Sequence, residues 1–107
     1  MIDKELLKKV GAPITSTEEI ANWLFDKHQI VIYDRIEPFV DPVETPSKIL
    51  FRLGVKKCSL RDGWNGRIYI GESNLTPYRD LAKKQCVEMA LNFIIEQKNK
   101  EKKPLQI

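Results

Sequence analysis

Apolar positions recur along the chain with two periods, and the switch between them divides it into elements. Ile2, Leu6 and Val10 fall at a helical step, with Asp3 placed to cap the segment and Gly11 and Pro13 placed to stop it. Ser16-Thr17-Glu18-Glu19 reads as a capping box, in which the Ser16 hydroxyl accepts from the Glu19 amide and the Glu19 carboxylate reaches back to the Ser16 amide. Ile20, Trp23, Leu24 and Lys27 follow at helical spacing, Phe25 widens the stripe, and the helix is expected to end near His28. Ile30–Ile36 is β-branched and aromatic and predicts a strand, with Ile30, Ile32 and Ile36 inward and Val31, Tyr33 and Arg35 outward. Pro38, Pro42 and Pro46 then predict an irregular loop.

Ile49, Phe51, Leu53 and Val55 alternate with Leu50, Arg52, Gly54 and Lys56, the clearest strand pattern in the chain. Asp62-Gly63 and Asn65-Gly66 both suit a hairpin turn, and Arg67–Gly71 reads as the return strand with Ile68 and Ile70 inward. Thr76 is the expected cap of a last helix with Pro77 at its first position; Tyr78, Ala82, Cys86, Met89, Ala90 and Phe93 form its stripe, and its end is expected near Gln97. The fold class that follows is α+β, a three-stranded antiparallel sheet with helices on one face in the order α-α-β-β-β-α. One domain over residues 1–97 and a basic flexible tail over 98–107 are expected, with Trp23, Phe51, Leu53, Ile68, Met89 and Phe93 in the core.

Composition narrows the class. The 107 residues are 42% hydrophobic and 31% charged, which suits a folded domain and not a disordered chain. No apolar run approaches the ~18 residues of a membrane span, and the charged Met1–Val10 segment is unlike a signal peptide, so a cytoplasmic protein is expected. The net charge of +3 hides an asymmetry: Glu18–Glu44 carries a net −5 and Lys48–Arg67 a net +5. Lys98, Lys100, Lys102 and Lys103 against Glu96 and Glu101 add +2 at the end, so the preceding residues carry only +1.

The residues offer little for catalysis. His28 stands alone, and Asp26, two residues away on a helix, faces elsewhere; His28 is expected to act as a cation suiting a helix C-terminus. Cys58 and Cys86 lack the further ligands a zinc site needs, and neither a zinc ion nor a disulfide is expected. Gly63-Trp64-Asn65-Gly66 lacks the Gly-Lys-Ser/Thr ending of a phosphate loop. Glu37, Asp41 and Glu44 share the Pro-rich loop, a poor platform for paired-carboxylate chemistry. A stronger candidate is the outward sheet face, where Arg52, Lys56, Arg67 and Arg35 lie among Tyr33 and Tyr69, the composition of a stacking platform for single-stranded nucleic acid. Solvated strands also carry Lys, Arg and Tyr outward, so a plain solvent face is the competing reading. Trp64, in the turn, either folds back on the core or makes a contact.

Two resemblances add to this. The αβββα order from Ser16 to Gln97 resembles the double-stranded-RNA-binding domain. That family's last helix follows Lys-Lys-x-Ala-Lys-x-x-Ala-Ala-x-x-Ala-Leu, and Arg79-Asp80-Leu81-Ala82-Lys83-Lys84-Gln85-Cys86-Val87-Glu88-Met89-Ala90-Leu91 falls on it, with Asp80 in place of a lysine. The resemblance implies phosphate contacts from Arg79, Lys83 and Lys84 across a major groove. The acidic loop Glu37–Pro46 lacks the family's Gly-Pro-x-His minor-groove contact. The chain also looks like small uncharacterised proteins of bacteriophages and bacterial mobile elements, through Trp23-Leu24-Phe25-Asp26-Lys27-His28-Gln29-Ile30 and the stretch from Thr76 to Leu91; that group implies no particular activity. The expectation is a non-catalytic binding or accessory protein, with a nucleic-acid-binding module as the alternative. Its partner would be a protein or a nucleic acid, with no membrane, cofactor or small-molecule substrate, and the chain would be a monomer or weak homodimer.

Overall fold

The computed structural model describes residues 2–34, 39–40, 49–58 and 67–102. The elements run α1 (Lys4–Val10), α2 (Thr17–His28), β1 (Ile30–Asp34), β2 (Phe39–Val40), β3 (Ile49–Leu50), β4 (Leu53–Cys58), β5 (Arg67–Glu72) and α3 (Arg79–Lys102). β1, β4 and β5 make an antiparallel sheet with β4 in the centre, and β2 pairs with β3 in a separate two-stranded ladder. The expected α+β fold, a three-stranded antiparallel sheet with α-α-β-β-β-α order, is what forms. The turn at 59–66 with Trp64, the acidic Pro-rich loop, Arg35 and Ile36 lie outside the described residues.

Local chemistry sets the first two helices. The Asp3 carboxylate accepts the Glu5 N–H at 3.0 Å, and Gly11 closes α1 at φ 74°, a left-handed conformation that costs glycine nothing. Ser16 Oγ accepts the Glu19 N–H at 3.3 Å as expected, but the Glu19 carboxylate takes the Thr15 hydroxyl instead of reaching back to the Ser16 amide. α2 ends on Gln29, at φ 55° the one non-glycine residue with positive φ among those described. Its carbonyl accepts the Cys58 N–H at 2.9 Å, so the helix stop leads straight into the pairing of β1 with β4.

The later elements depart from expectation for non-local reasons. The expected strand from Ile49 breaks at Phe51 and Arg52, where Phe51 leaves its neighbours and pairs with Thr76 (N–H to O distances of 2.6 and 3.0 Å). With both backbone groups held by Phe51, Thr76 cannot enter a helix. α3 therefore starts at Arg79 and not at Pro77, and the Thr76 hydroxyl accepts the Tyr78 N–H at 3.2 Å. At its other end α3 runs through Lys102, so residues 98–102, assigned to the tail, are helical.

The core lies between the sheet and the helices. α3 packs across β1, β4 and β5, and α1 and α2 pack against α3. Leu53, Val55, Ile20, Leu24 and Ile30 are fully buried against Cys86, Val87, Ala90 and Leu91. The buried stripe of α3 is wider than its expected one because α1 and α2 cover a second side, while Tyr78 is left exposed. Trp23, Phe51, Met89 and Phe93 pack against this core half-buried. Ile68 does not join it: the side chain is 51% exposed, since α3 lies over Ile70 and Gly71 through Met89 and Phe93 and leaves Ile68 beyond its edge. Leu53→Ala should lower unfolding free energy by about 2–5 kcal/mol, whereas Ile68→Ala should stay within about 1 kcal/mol of the parent; urea melts of the two variants distinguish the positions.

Leu53 also carries the main buried polar connection. Its N–H donates to Ser73 Oγ at 3.0 Å, and its carbonyl accepts the Ser73 N–H at 2.8 Å and the Cys86 S–H at 3.3 Å. Ser73 is itself buried, and its hydroxyl donates to the Asn74 carbonyl at 3.0 Å. Ser73→Ala leaves a buried donor unpaired, so its urea midpoint should fall by the equivalent of about 1–3 kcal/mol with the slope unchanged.

Candidate nucleic-acid interface

The sheet face away from α3 is assembled by a phase change in β5. Gly54 pairs with Glu72 and Val55 with Gly71, but Lys56 pairs with Tyr69, so Ile70 is an extra residue opposite the Val55–Lys56 step. Gly71 faces the helix, where a Cβ would sit 2.7 Å from Met89 Sδ, and Ile70 faces it too, lining a shallow cleft with Met89 and Phe93. Without the bulge, Tyr69 would turn toward the helices. With it, Tyr69 stands beside Lys56 on the open face, 55% exposed.

Tyr33 lies diagonally across from Lys56, whose direct partner on β1 is Val31. Tyr33 itself pairs with Gly54, and its ring covers that glycine so closely that a Cβ there would lie 2.6 Å from the ring. The Lys56 ammonium sits over the same ring, 4.7 Å from its centroid. One side of the Tyr33 ring is thus seated on backbone, and the ring also carries a cation. Arg67 is opposite Cys58 in the register. Arg52 sits in the break between β3 and β4, half-buried, and its Nε has no hydrogen-bond partner among the described residues.

The bases of α3 are placed differently. Arg79 Nη2 is 3.3 Å from Asp34 Oδ2 at the end of β1, and Lys83 Nζ is 2.6 Å from Glu18 Oε2 in the first turn of α2. Lys84 Nζ lies 3.9 Å from Glu88 Oε1, one turn along. The Lys83 ammonium beside Glu18 holds that carboxyl below its usual range. Acids of the negative segment thus lie against Arg79 and Lys83, two of the three bases that the RNA-binding resemblance singles out.

Two further sequence candidates are settled by their surroundings. Burial pushes the Cys86 thiol up to about 11, so it is neutral and unreactive in the core. The His28 ring packs edge-on to Trp23 with centroids 4.9 Å apart. Burial first, then the charges of Lys57 and Lys98, lower its pKa, so the site favours neutral imidazole and not the helix-capping cation expected from sequence. Among the described residues no group of three His, Cys, Asp or Glu side chains could hold a metal ion, and no helix is long and apolar enough to cross a membrane.

No protein family, curated protein or solved structure matches the chain. The two resemblances therefore rest on their residues alone.

The lowered His28 pKa has a pH consequence. The unfolded chain takes up this proton near the ordinary value of about 6.5, and the native chain only at lower pH. Native stability is unaffected by this group above that value and declines as pH falls through it toward the native pKa. His28→Gln should flatten the dependence of unfolding free energy on pH between about 7 and 5, measured by urea melts at each pH; an equal slope in both proteins would contradict it.

Proposed function

We propose that the chain is a non-catalytic binding module that takes single-stranded nucleic acid on the open face of its sheet. The observation that carries this reading is Lys56 set between two rings, over Tyr33 diagonally across β1 and directly opposite Tyr69 on β5. Three adjacent strands place an exposed aromatic ring beside a cation that a second ring holds in position. Bases stack on such rings without sequence preference, and a neighbouring ammonium meets the phosphate between them. In this reading Tyr69 stacks, Lys56 contacts phosphate, and Tyr33 positions Lys56. Ion pairs at Arg79, Lys83 and Lys84 favour the sheet over α3, because freeing each base for a phosphate would first break a contact with a carboxylate.

Fluorescence anisotropy with a single-stranded oligonucleotide and with duplex RNA at ~0.15 M salt tests it. Tyr69→Ala should weaken single-strand binding roughly five- to 150-fold, the equivalent of about 1–3 kcal/mol for a lost stack. Lys56→Ala should weaken it and reduce its salt dependence, and Lys83→Glu should change it little. Duplex preference that is lost in Lys83→Glu and kept in Tyr69→Ala would transfer the function to α3. No binding of either nucleic acid at high micromolar concentration would leave a protein partner as the ligand.

A further inference from the structure

On the other side of the sheet, α2, β4 and α3 meet around a notch of about 170 Å³. His28 comes from the last turn of α2, Lys57 from β4, and Gln97 and Lys98 from α3; Ile30 and Phe93 supply apolar walls. All the side chains able to carry charge at its edge are basic, and no carboxylate lines it among the described residues. The bases further up α3 are arranged otherwise, each within 4 Å of an acid. Gathering two ammonium groups and an imidazole without an anion raises the energy of the charged forms, and an anion bound among them would relieve this.

We infer that this notch is a binding site for a phosphate-class oxyanion, free or carried on a small organic ester. Its three basic groups come from three different elements and line one notch. The Gln97 amide adds a neutral hydrogen-bond donor, and Lys57 and Lys98 supply donors as well as charge. Phe93, half-buried at the edge of the notch, gives an ester's organic part somewhere to lie. His28 is the reporter built into the site: burial and then the two lysines hold its pKa down, and a bound dianion opposes the lysines' effect. The site lies on the helix side of the sheet, and its reading does not depend on the nucleic-acid proposal.

Sulfate is the first probe, because it has the tetrahedral shape of phosphate and stays dianionic where His28 titrates. The imidazole resonances of the full chain are followed by NMR against pH in sulfate and in chloride at equal ionic strength. The His28 pKa should rise by about one pH unit in sulfate, and Lys57→Gln and Lys98→Gln should each remove most of that rise. Lys98 is exposed, so its substitution leaves the fold intact and keeps the test valid even if Lys57→Gln is destabilised. Amide shifts at constant pH then compare inorganic phosphate with phenyl phosphate: tighter binding of the ester identifies an organic phosphate, and equal binding identifies the free ion. An unchanged His28 pKa in the two salts, or an undiminished rise in both lysine variants, overturns the assignment.

Discussion

The backbone of Leu53 is the point on which the rest of the structure depends. Leu53 begins the central strand, its side chain is fully buried, and its peptide groups bind Ser73 through both backbone and hydroxyl. Its carbonyl also receives the Cys86 thiol, which ties β4 to the middle of α3. A buried N–H or C=O left without a partner costs more than a typical hydrogen bond contributes. The chain after β5 is therefore fixed where Ser73 can serve Leu53, and Phe51, just before Leu53, closes a second pair with Thr76, just after Ser73. These connections dock the end of the sheet onto α3, fix where α3 can begin, and bring Asp34 within reach of Arg79.

From that anchor the bulge at Ile70 decides which residues the sheet shows to solvent. Strand alternation transmits side-chain direction along β5, so one inserted residue reverses everything beyond it. Gly71 takes the helix-facing position opposite Val55, where an added Cβ would press on the Met89 sulfur. Ile70 joins it on the helix side, and Tyr69 is delivered to the face that holds Tyr33 and Lys56. The inward placing of Ile70 and outward placing of Tyr69 follow from simple alternation read at 67–70, but alternation carried on to Gly71 would have been out of phase. An isolated glycine in a strand pattern was the available sign of the bulge.

What could be read from sequence was what adjacent residues decide. Asp3, Gly11 and Ser16 act on backbone groups within a turn of themselves, and their helices form where they indicate. The start of α3 was not readable in this way, because Thr76 is claimed by Phe51, 25 residues earlier in the sequence. Ile68 had the right period for a core residue; its exposure depends on how far α3 extends across β5, which periodicity does not encode. The candidate sites divide along the same line. Lys56 and Tyr69 were identifiable as outward neighbours on adjacent strands, whereas the cation held over Tyr33 depends on Gly54 leaving the ring room to lie flat.

Charge shows the same contrast between local pattern and tertiary use. The negative stretch from Glu18 and the early bases of α3 look like separate surfaces in sequence, yet Glu18 meets Lys83 and Asp34 meets Arg79. With an exposed carboxylate in each, these pairs add little stability; their effect is on which bases are left without a carboxylate beside them. Among the described residues the bases outside these pairs include Lys56 on the open face, held over an aromatic ring, and Lys57 beside His28 and Lys98 on the helix side. Lys56 and Lys57 are consecutive in β4, so alternation sends two neighbouring lysines to opposite faces of one sheet. A single strand thereby supplies the cation of both candidate sites, one shaped as an aromatic platform and the other as a basic notch.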